Sequence, residues 1–335
     1  MKEYILRRLI STLPILLGVV ILTFFMLQLI PGDPASVMAG ERATAQQIEQ
    51  IRRELGLDQP VLIQLGRYIM NLIQLDLGRS LLTNRPVLLE IATRLPATLE
   101  LTLAAMMIAT IIGVSLGSLA AAKKQRLWDT ISMMIALAGV SIPVFWLGLE
   151  FIYFFSFKLN LFPSFGRGQL PYSITGLFVL DSILTGNPQH LFRALSHLAL
   201  PALTLGLLTS ALIARMTRSS LIQVFEQEFM RVAQAKGVSR RQYWKHAFAA
   251  GFAPIVTVMG LQMGTLLGGA ILTEHVFSWP GLGSYMVQAV FARDFPSIQA
   301  LVALSALFFV GINLCVDILI AVLDPRVRAK MNENI

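Results

Sequence analysis

Six long uncharged stretches most constrain what this 335-residue chain can fold into. Each holds 20–27 consecutive residues without Asp, Glu, Lys or Arg, and about 20 helical residues cross the ~30 Å hydrocarbon core of a bilayer. They are residues 9–32, 101–122, 130–149, 194–214, 247–273 and 295–316. Charged residues make up only 14% of the chain, against about 25% in soluble domains. We predict an all-α polytopic membrane protein with six transmembrane helices.

Length also decides how the first of these stretches and one shorter stretch are interpreted. The first uncharged stretch has 24 residues, whereas the apolar region of a signal peptide has about 7–15, so we interpret it as an uncleaved span. The stretch 169–180 has only 12 residues and is expected to be interfacial or packed on the outer face. The single cysteine, Cys315, excludes an internal disulfide framework and a multi-cysteine zinc site.

The basic residues predict the orientation in the membrane. With the N-terminus in the cytoplasm, 16 Lys and Arg fall in the four cytoplasmic pieces, and the outer loops after spans three and five hold four. The first outer loop, residues 33–97, has seven Arg balanced by seven acidic residues. This is the positive-inside pattern, so both termini are expected in the cytoplasm. The net charge of +8 is explained by this pattern and does not indicate nucleic-acid binding.

The chain divides into three regions by this pattern. Residues 1–32 form the N-terminal tail and first helix, residues 33–97 an extracytoplasmic helical loop, and residues 98–330 a five-helix core with the cytoplasmic loop 215–246. In the outer loop, Thr44 and Gln47 form a capping-box pattern, and Pro60 and Pro86 precede two further helical patterns. The loop is expected to cap the bundle, to offer a docking surface for an extracytoplasmic partner, or both.

The cytoplasmic loop 215–246 is predicted to contain two helices. The first includes 228–236 and ends at Gly237, a residue suited to the left-handed position after a helix. Ser239 then caps the second helix, with Gln242 as its reciprocal partner. In one interpretation, the small and apolar residues of the first helix bind in a groove of a partner protein. In the other, the helix lies on the membrane surface. The candidate contact residues are Glu228, Phe229, Met230, Arg231, Ala233, Ala235, Lys236 and Gly237, with Val232 as a further apolar anchor.

The run Arg231–Gly237, with Pro254 following, resembles the loop of permease subunits of bacterial ABC importers. It is most similar to the dipeptide/oligopeptide/nickel branch, of the dipeptide-permease B type. Other marks in the same order are residues 30–34, 56–60, 95–101, 214–220, 274–283, 293–296 and 324–328. Two places depart from the family pattern: the loop begins Arg231-Val232-Ala233 instead of Glu-Ala-Ala, and alanines replace Arg-Asn after His246.

The resemblance implies a type I ABC importer permease in the bacterial inner membrane, with a non-catalytic role. Its implied partners are a second homologous permease, two cytoplasmic ATPase subunits that bind ATP and Mg²⁺, and an extracytoplasmic binding protein. The loop helix ending at Gly237 would sit in a cleft of an ATPase subunit. Consistently, the sequence has no G-x-x-x-x-G-K-[ST] phosphate loop, and no cofactor is expected on this chain.

Polar residues within the spans are candidates for the translocation pathway. Ionisable groups are costly in lipid and often functional, which singles out Glu150 and Asp317, and Gln262 is a third candidate. Helix–helix bonding is an equal alternative for Asp317, because Asn313 lies one turn earlier. Glycines 260, 264, 268 and 269 form a small-residue stripe that favours close helix packing.

Two other classes of protein remain as alternatives. A membrane-embedded enzyme would need a catalytic pair, for which Glu150 and Asp317 are the candidates. A secondary transporter would be expected to show more membrane acids or an inverted repeat. For the importer, di- or oligopeptides are the expected substrates, with glutathione and nickel as alternatives.

Overall fold

The computed structural model describes residues 2–29, 34–39, 43–54, 56–169, 171 and 174–323. Within these residues the chain is helical, with one isolated antiparallel bridge between Arg79 and Pro86. The helices are α1 (Lys2–Gln28), α2 (Pro34–Ala39), α3 (Ala45–Glu54), α4 (Val61–Ile73), α5 (Val87–Ala122), α6 (Leu127–Ser141), α7 (Val144–Phe151), α8 (Phe178–Leu184), α9 (Pro188–Phe225), α10 (Glu228–Ala235), α11 (Arg240–Gly269), α12 (Ile271–Val276), α13 (Leu282–Phe291) and α14 (Phe295–Leu323). A π-helical segment, Ile152–Lys158, directly continues α7.

Five helices are long and apolar enough to span a membrane by themselves. They are α1, α5, α9, α11 and α14, and the pair α6–α7 with its π-helical extension gives a sixth span when it is counted as one. The predicted count of six is therefore confirmed. The basic residues Arg326, Arg328 and Lys330 and the 324–328 mark lie outside the described residues.

The third span differs from the single straight helix that its uncharged stretch predicts. α6 ends at Ser141, α7 begins at Val144, and their axes diverge by 96°. Pro143 lacks a backbone N–H and forces the residue before it out of helical geometry. Ile142 accordingly has φ −86° and ψ 128°. The proline was present in the sequence and accounts for the break.

The helix pair α5–α9 forms the centre of the bundle. α9 is the most buried of the five long apolar helices. The two helices approach closely at Gly117, where an added Cβ would lie 2.5 Å from the carbonyl oxygen of Ala214. In the orientation predicted from the basic residues, the outer end of α5 is its beginning, and its cytoplasmic end lies near α10.

The predicted glycine stripe of α11 packs against α14. A Cβ on Gly260 would lie 2.2 Å from Val316, and one on Gly264 would lie 2.8 Å from Phe309. Gly268 faces Ser305 at 3.8 Å. The stripe therefore has the structural role that small residues play between membrane helices.

The outer loop has the helices predicted for it and is fixed to the core. Thr44 N–H donates to Gln47 Oε1 at 2.8 Å, which confirms the capping box. The helical pattern after Pro86 is part of α5, which runs without interruption for 36 residues. The buried carboxylate of Asp294 accepts from the Ser80 hydroxyl at 2.5 Å and from the Ser297 hydroxyl at 2.7 Å. This node joins the outer loop to the beginning of α14.

Candidate functional site

The helix α10 in the cytoplasmic loop ends as its sequence predicts. Gly237 has φ +67°, the left-handed conformation that an L side chain rarely adopts. Its N–H donates to Gln234 O at 3.0 Å, and Val238 N–H donates to Ala233 O at 3.3 Å. These two bonds are the Schellman arrangement, which satisfies the last carbonyls of a helix. The sequence thus fixes where α10 stops and where the chain turns back toward α11.

The cap of α11 follows the prediction in one bond and differs in the other. Gln242 N–H donates to the Ser239 hydroxyl at 3.5 Å. The reciprocal bond uses the hydroxyl instead of the backbone N–H, because Ser239 Oγ donates to Gln242 Oε1 at 3.1 Å. The turn between α10 and α11 is therefore closed by local contacts on both sides.

Most of the candidate contact residues of α10 share an exposed surface. Phe229 is 40% exposed and Val232 is 51% exposed. Ala233 is half-buried. The remaining exposed candidates are Glu228, Arg231, Ala235, Lys236 and Gly237. We call these exposed residues together with Phe229, Val232 and Ala233 the α10 surface. It combines apolar, small and charged groups on one short helix, as a groove-binding helix does.

Met230 is the exception among these candidates. Its side chain is 0% exposed and belongs to a buried apolar cluster with Ala121, Leu221, Val224 and Ala247. The interpretation of Met230 as an anchor in a partner's groove is therefore corrected, because the partner's place is taken by this chain's own helix ends. Met230 instead fixes α10 to the cytoplasmic ends of α5, α9 and α11.

Two ion pairs fix the same end of the bundle. Arg218 of α9 donates to both carboxylate oxygens of Asp129 on α6, at 2.5 and 2.7 Å. Planar two-bond contacts of this kind are geometrically specific. Lys124, in the turn between α5 and α6, pairs with Glu226, two residues before α10. Together with the buried cluster around Met230, these pairs connect α10 and its flanking turns to four spans, α5, α6, α9 and α11.

The three pathway candidates occupy different surroundings. Asp317 pairs with Arg8 of α1, which donates to its carboxylate at 2.5 and 2.7 Å. The structure thus favours the helix–helix alternative for Asp317. Glu150 is exposed on α7, and Gln262 is half-buried on α11. The proposed catalytic pairing of Glu150 with Asp317 has no support, since Asp317 is engaged by Arg8.

A buried ion pair near the outer end of α5 was not singled out by sequence reasoning. Arg167 donates to Glu100 at 2.5 and 2.9 Å, and each side chain is only 7% exposed. The guanidinium also lies 3.9 Å from the ring centroid of Phe178 and donates to Gly176 O. Arg167 comes from a loop 67 residues away from Glu100, and no local pattern indicates such a pairing.

The chain matches a known family over most of its length. Residues 113–329 match the family described as the binding-protein-dependent transport system inner membrane component, and residues 1–102 match its N-terminal membrane component.

Individual proteins support the same assignment. The chain is 45% identical to a dipeptide transport system permease protein of Alkalihalophilus pseudofirmus, over 98% of this chain and 100% of that one. It is 44% identical to a di/tripeptide permease of Pseudomonas aeruginosa, over 98% and 99%. It is also 42% identical to a glutathione permease of Escherichia coli, over 98% and 100%.

A solved structure supports the fold. The chain is similar in fold to a chain of the methionine ABC transporter MetNI in an inward-facing conformation. The match covers 68% of this chain and 93% of that one, with a TM-score of 0.50 and 17% identity. The helix order, the α10 surface and the full-length relatives agree with one another. The chain belongs to the binding-protein-dependent transport system inner membrane component family, the permeases of bacterial ABC importers.

Proposed function

We propose that this chain is the permease subunit that forms half of the translocation pathway of an ATP-driven importer of di- or oligopeptides. Two relatives above 40% identity over nearly their whole length are permeases of dipeptide or di/tripeptide systems. The glutathione permease is only slightly less similar, at 42%. Import of glutathione, which is itself a small peptide, is therefore the second candidate function.

The observation that carries the proposal is the attachment of α10. Its exposed surface projects from the cytoplasmic end, while Met230 and the Lys124–Glu226 pair fix it to the spans. An ATPase subunit that grips this surface would move the bundle and not merely a loop. Rigid-body motion of this kind is one of the known ways in which binding energy changes the state of a protein.

The proposal assigns the remaining parts of the machine to other chains. ATP and Mg²⁺ would bind to two ATPase subunits, a second homologous permease would complete the pathway, and an extracytoplasmic binding protein would deliver the peptide. This chain would then be a transport subunit with no catalytic residue of its own. Glu150 and Gln262 stay candidate pathway residues in this scheme, while Asp317 is assigned to holding α1 on α14.

The first test is copurification from gently solubilised native membranes. ATPase subunits are expected to accompany the tagged wild-type chain and to be lost with Ala235→Trp, which places a bulky ring on the α10 surface. Ala92→Trp is the matched control, because Ala92 is exposed at the outer beginning of α5. Recovery of the wild-type chain alone would contradict the proposal.

The second test distinguishes the substrates. The purified assembly is placed in proteoliposomes, and ATP-dependent uptake of a labelled dipeptide is compared with that of glutathione. The proposal expects accumulation of the dipeptide that requires ATP and the binding protein. Uptake of glutathione alone would favour the second candidate, and uptake of neither would overturn both.

A further inference from the structure

The outer connection between α11 and α14 has an unusual position for a loop. Its residues Phe277, Trp279 and Tyr285 are at most 2% exposed and are the three largest fully buried side chains among the described residues. Loops normally run over the surface, because a buried loop carries backbone groups that are hard to satisfy. This segment, formed by α12, the turn 277–281 and α13, is called the outer hairpin below.

Glu274 lies at the centre of the outer hairpin with no exposed surface. One carboxylate oxygen accepts from the Thr98 hydroxyl at 2.7 Å, and the other accepts from Ser284 N–H at 3.0 Å. Ser284 lies in the first turn of α13, where unpaired N–H groups and the helix dipole favour negative charge. Among the described residues Glu274 has no ion-pair partner, and the beginning of α13 stabilises its buried carboxylate.

Thr98 extends this contact to α5. Its hydroxyl donates to Glu274 and accepts from Leu282 N–H at 2.8 Å. In the adjacent turn, Trp279 Nε1–H donates to Ala97 O at 2.8 Å. Three hydrogen bonds therefore join the outer hairpin to two consecutive residues of α5.

The close fit around the carboxylate also explains a residue in the turn. A Cβ on Gly281 would lie 2.3 Å from the nearer oxygen of Glu274. A side chain at residue 281 would therefore require the Glu274 carboxylate to shift away from the donors that hold it. The position of the Glu274 carboxyl group and the lack of a side chain at Gly281 are thus two parts of one arrangement.

A second set of contacts holds the hairpin from the other side. Gly166 N–H donates to Phe277 O at 2.8 Å, and the neighbouring Arg167 forms the buried pair with Glu100. Glu100 lies two residues after Thr98 on α5. The outer end of α5 is therefore bonded to the hairpin directly and through the loop that carries Arg167.

We propose that Glu274 is a positioning residue for transport, which makes the outer hairpin move with α5 as one body. The inference rests on the proposed function. α5 has 36 residues, or about 54 Å at 1.5 Å per residue, and Ala121 near its cytoplasmic end belongs to the same buried cluster as Met230 of α10. Displacement of α10 thereby reaches the outer side of the pathway through α5, and Glu274 transfers it to the hairpin.

The first experiment measures peptides transported per ATP hydrolysed by the reconstituted assembly. Glu274→Gln keeps the size of the side chain but loses the charge and one acceptor oxygen, and a drop of about tenfold in that ratio is expected. Lys158→Gln is the matched control, since it removes the charge of an exposed side chain outside the outer loop 33–97, and its ratio should equal that of the wild type.

A purely structural role gives a different result. In that case Glu274→Gln lowers the amount and the melting temperature of the assembly, while the ratio for each assembled complex stays normal, and the proposal is overturned. If Glu274→Gln does not assemble, Thr98→Val decides by the same ratio, because it retains the carboxylate and removes only the two hydrogen bonds that the Thr98 hydroxyl makes to the hairpin.

The second experiment does not depend on transport. In a Cys315→Ser background, spin labels are placed with Leu103→Cys on α5 and Phe291→Cys on α13, both at exposed positions. The distance between them is expected to be the same in nucleotide-free and ATP-trapped complexes, and its distribution to broaden with Glu274→Gln. A change in the wild type of roughly 5 Å or more, the size of one helical turn, would show that the hairpin moves independently.

The two experiments separate the two proposals. A wild-type complex that assembles but imports no peptide would contradict the proposed function, while the label distance would still decide whether the hairpin follows α5.

Discussion

At the scale of single residues, each member of the buried Glu100–Arg167 pair should be needed to compensate the charge of the other. Glu100→Gln leaves a buried guanidinium without its counter-charge, which typically costs about 3–5 kcal/mol. The combined change Glu100→Gln with Arg167→Met removes both charges and should recover most of that loss. Thermal unfolding of the purified complex measures both effects. Equal destabilisation by the single and the double change would contradict this account.

Asp181 provides a residue-scale prediction that depends on pH. Burial raises the pKa of its carboxyl. Hydrogen bonds from the Thr175 hydroxyl and from three backbone N–H groups lower that pKa by more than burial raises it, so the net pKa is below the ordinary 3.8. A lowered folded-state pKa stabilises the protein above the unfolded value, and this contribution is lost as the pH falls through the folded value.

The corresponding variant is Asp181→Asn. We expect it to lower the stability by roughly 2 kcal/mol at pH 7, since hydrogen bonds to a charged group are lost. The difference from the wild type should shrink once the pH falls below 3.8. Melting temperatures of the two proteins at pH 7 and at pH 3 measure it. A difference that does not vary with pH would contradict the assigned cause.

At the scale of elements, truncating the buried side chain of Met230 should weaken the coupling between α10 and the spans. Met230→Ala is expected to cost about 2–5 kcal/mol locally, because it leaves a cavity between three helix ends. ATP hydrolysis would then continue with less transport. Met107→Ala is the matched control, because Met107 of α5 is 61% exposed and lies outside the α10 surface, and its transport per ATP should equal that of the wild type. Equal transport per ATP in Met230→Ala and the wild type would contradict the role of the anchor.

The sequence predicts those elements whose determinants are local. The Thr44–Gln47 cap, the end of α10 at Gly237 and the glycine packing of α11 each depend on residues a few positions apart. The break at Pro143 was also local, and the uncharged stretch around it obscured it. Glu274 could not be found in this way, because its partner Thr98 lies 176 residues away and only the folded chain brings them together.

At the scale of the whole molecule, the orientation can be tested with the single cysteine removed. In a Cys315→Ser background, Lys123→Cys, exposed in the turn between α5 and α6, should react with a membrane-impermeant thiol reagent only after the cytoplasmic side is opened. Asn84→Cys, exposed in the outer loop, should react in intact cells that lack an outer-membrane barrier. The opposite pattern would contradict the orientation predicted from the basic residues.

The central claim is that the α10 surface contacts an ATPase subunit while the opposite side of α10 holds the spans. A photoreactive amino acid placed at positions 229, 230 or 232 of the tagged chain in native membranes tests it most directly. Crosslinks to an ATPase subunit are predicted from 229 and 232, whose side chains are exposed, and not from the fully buried 230. Absence of crosslinks from all three positions, or crosslinks of equal strength from 230, would contradict the account.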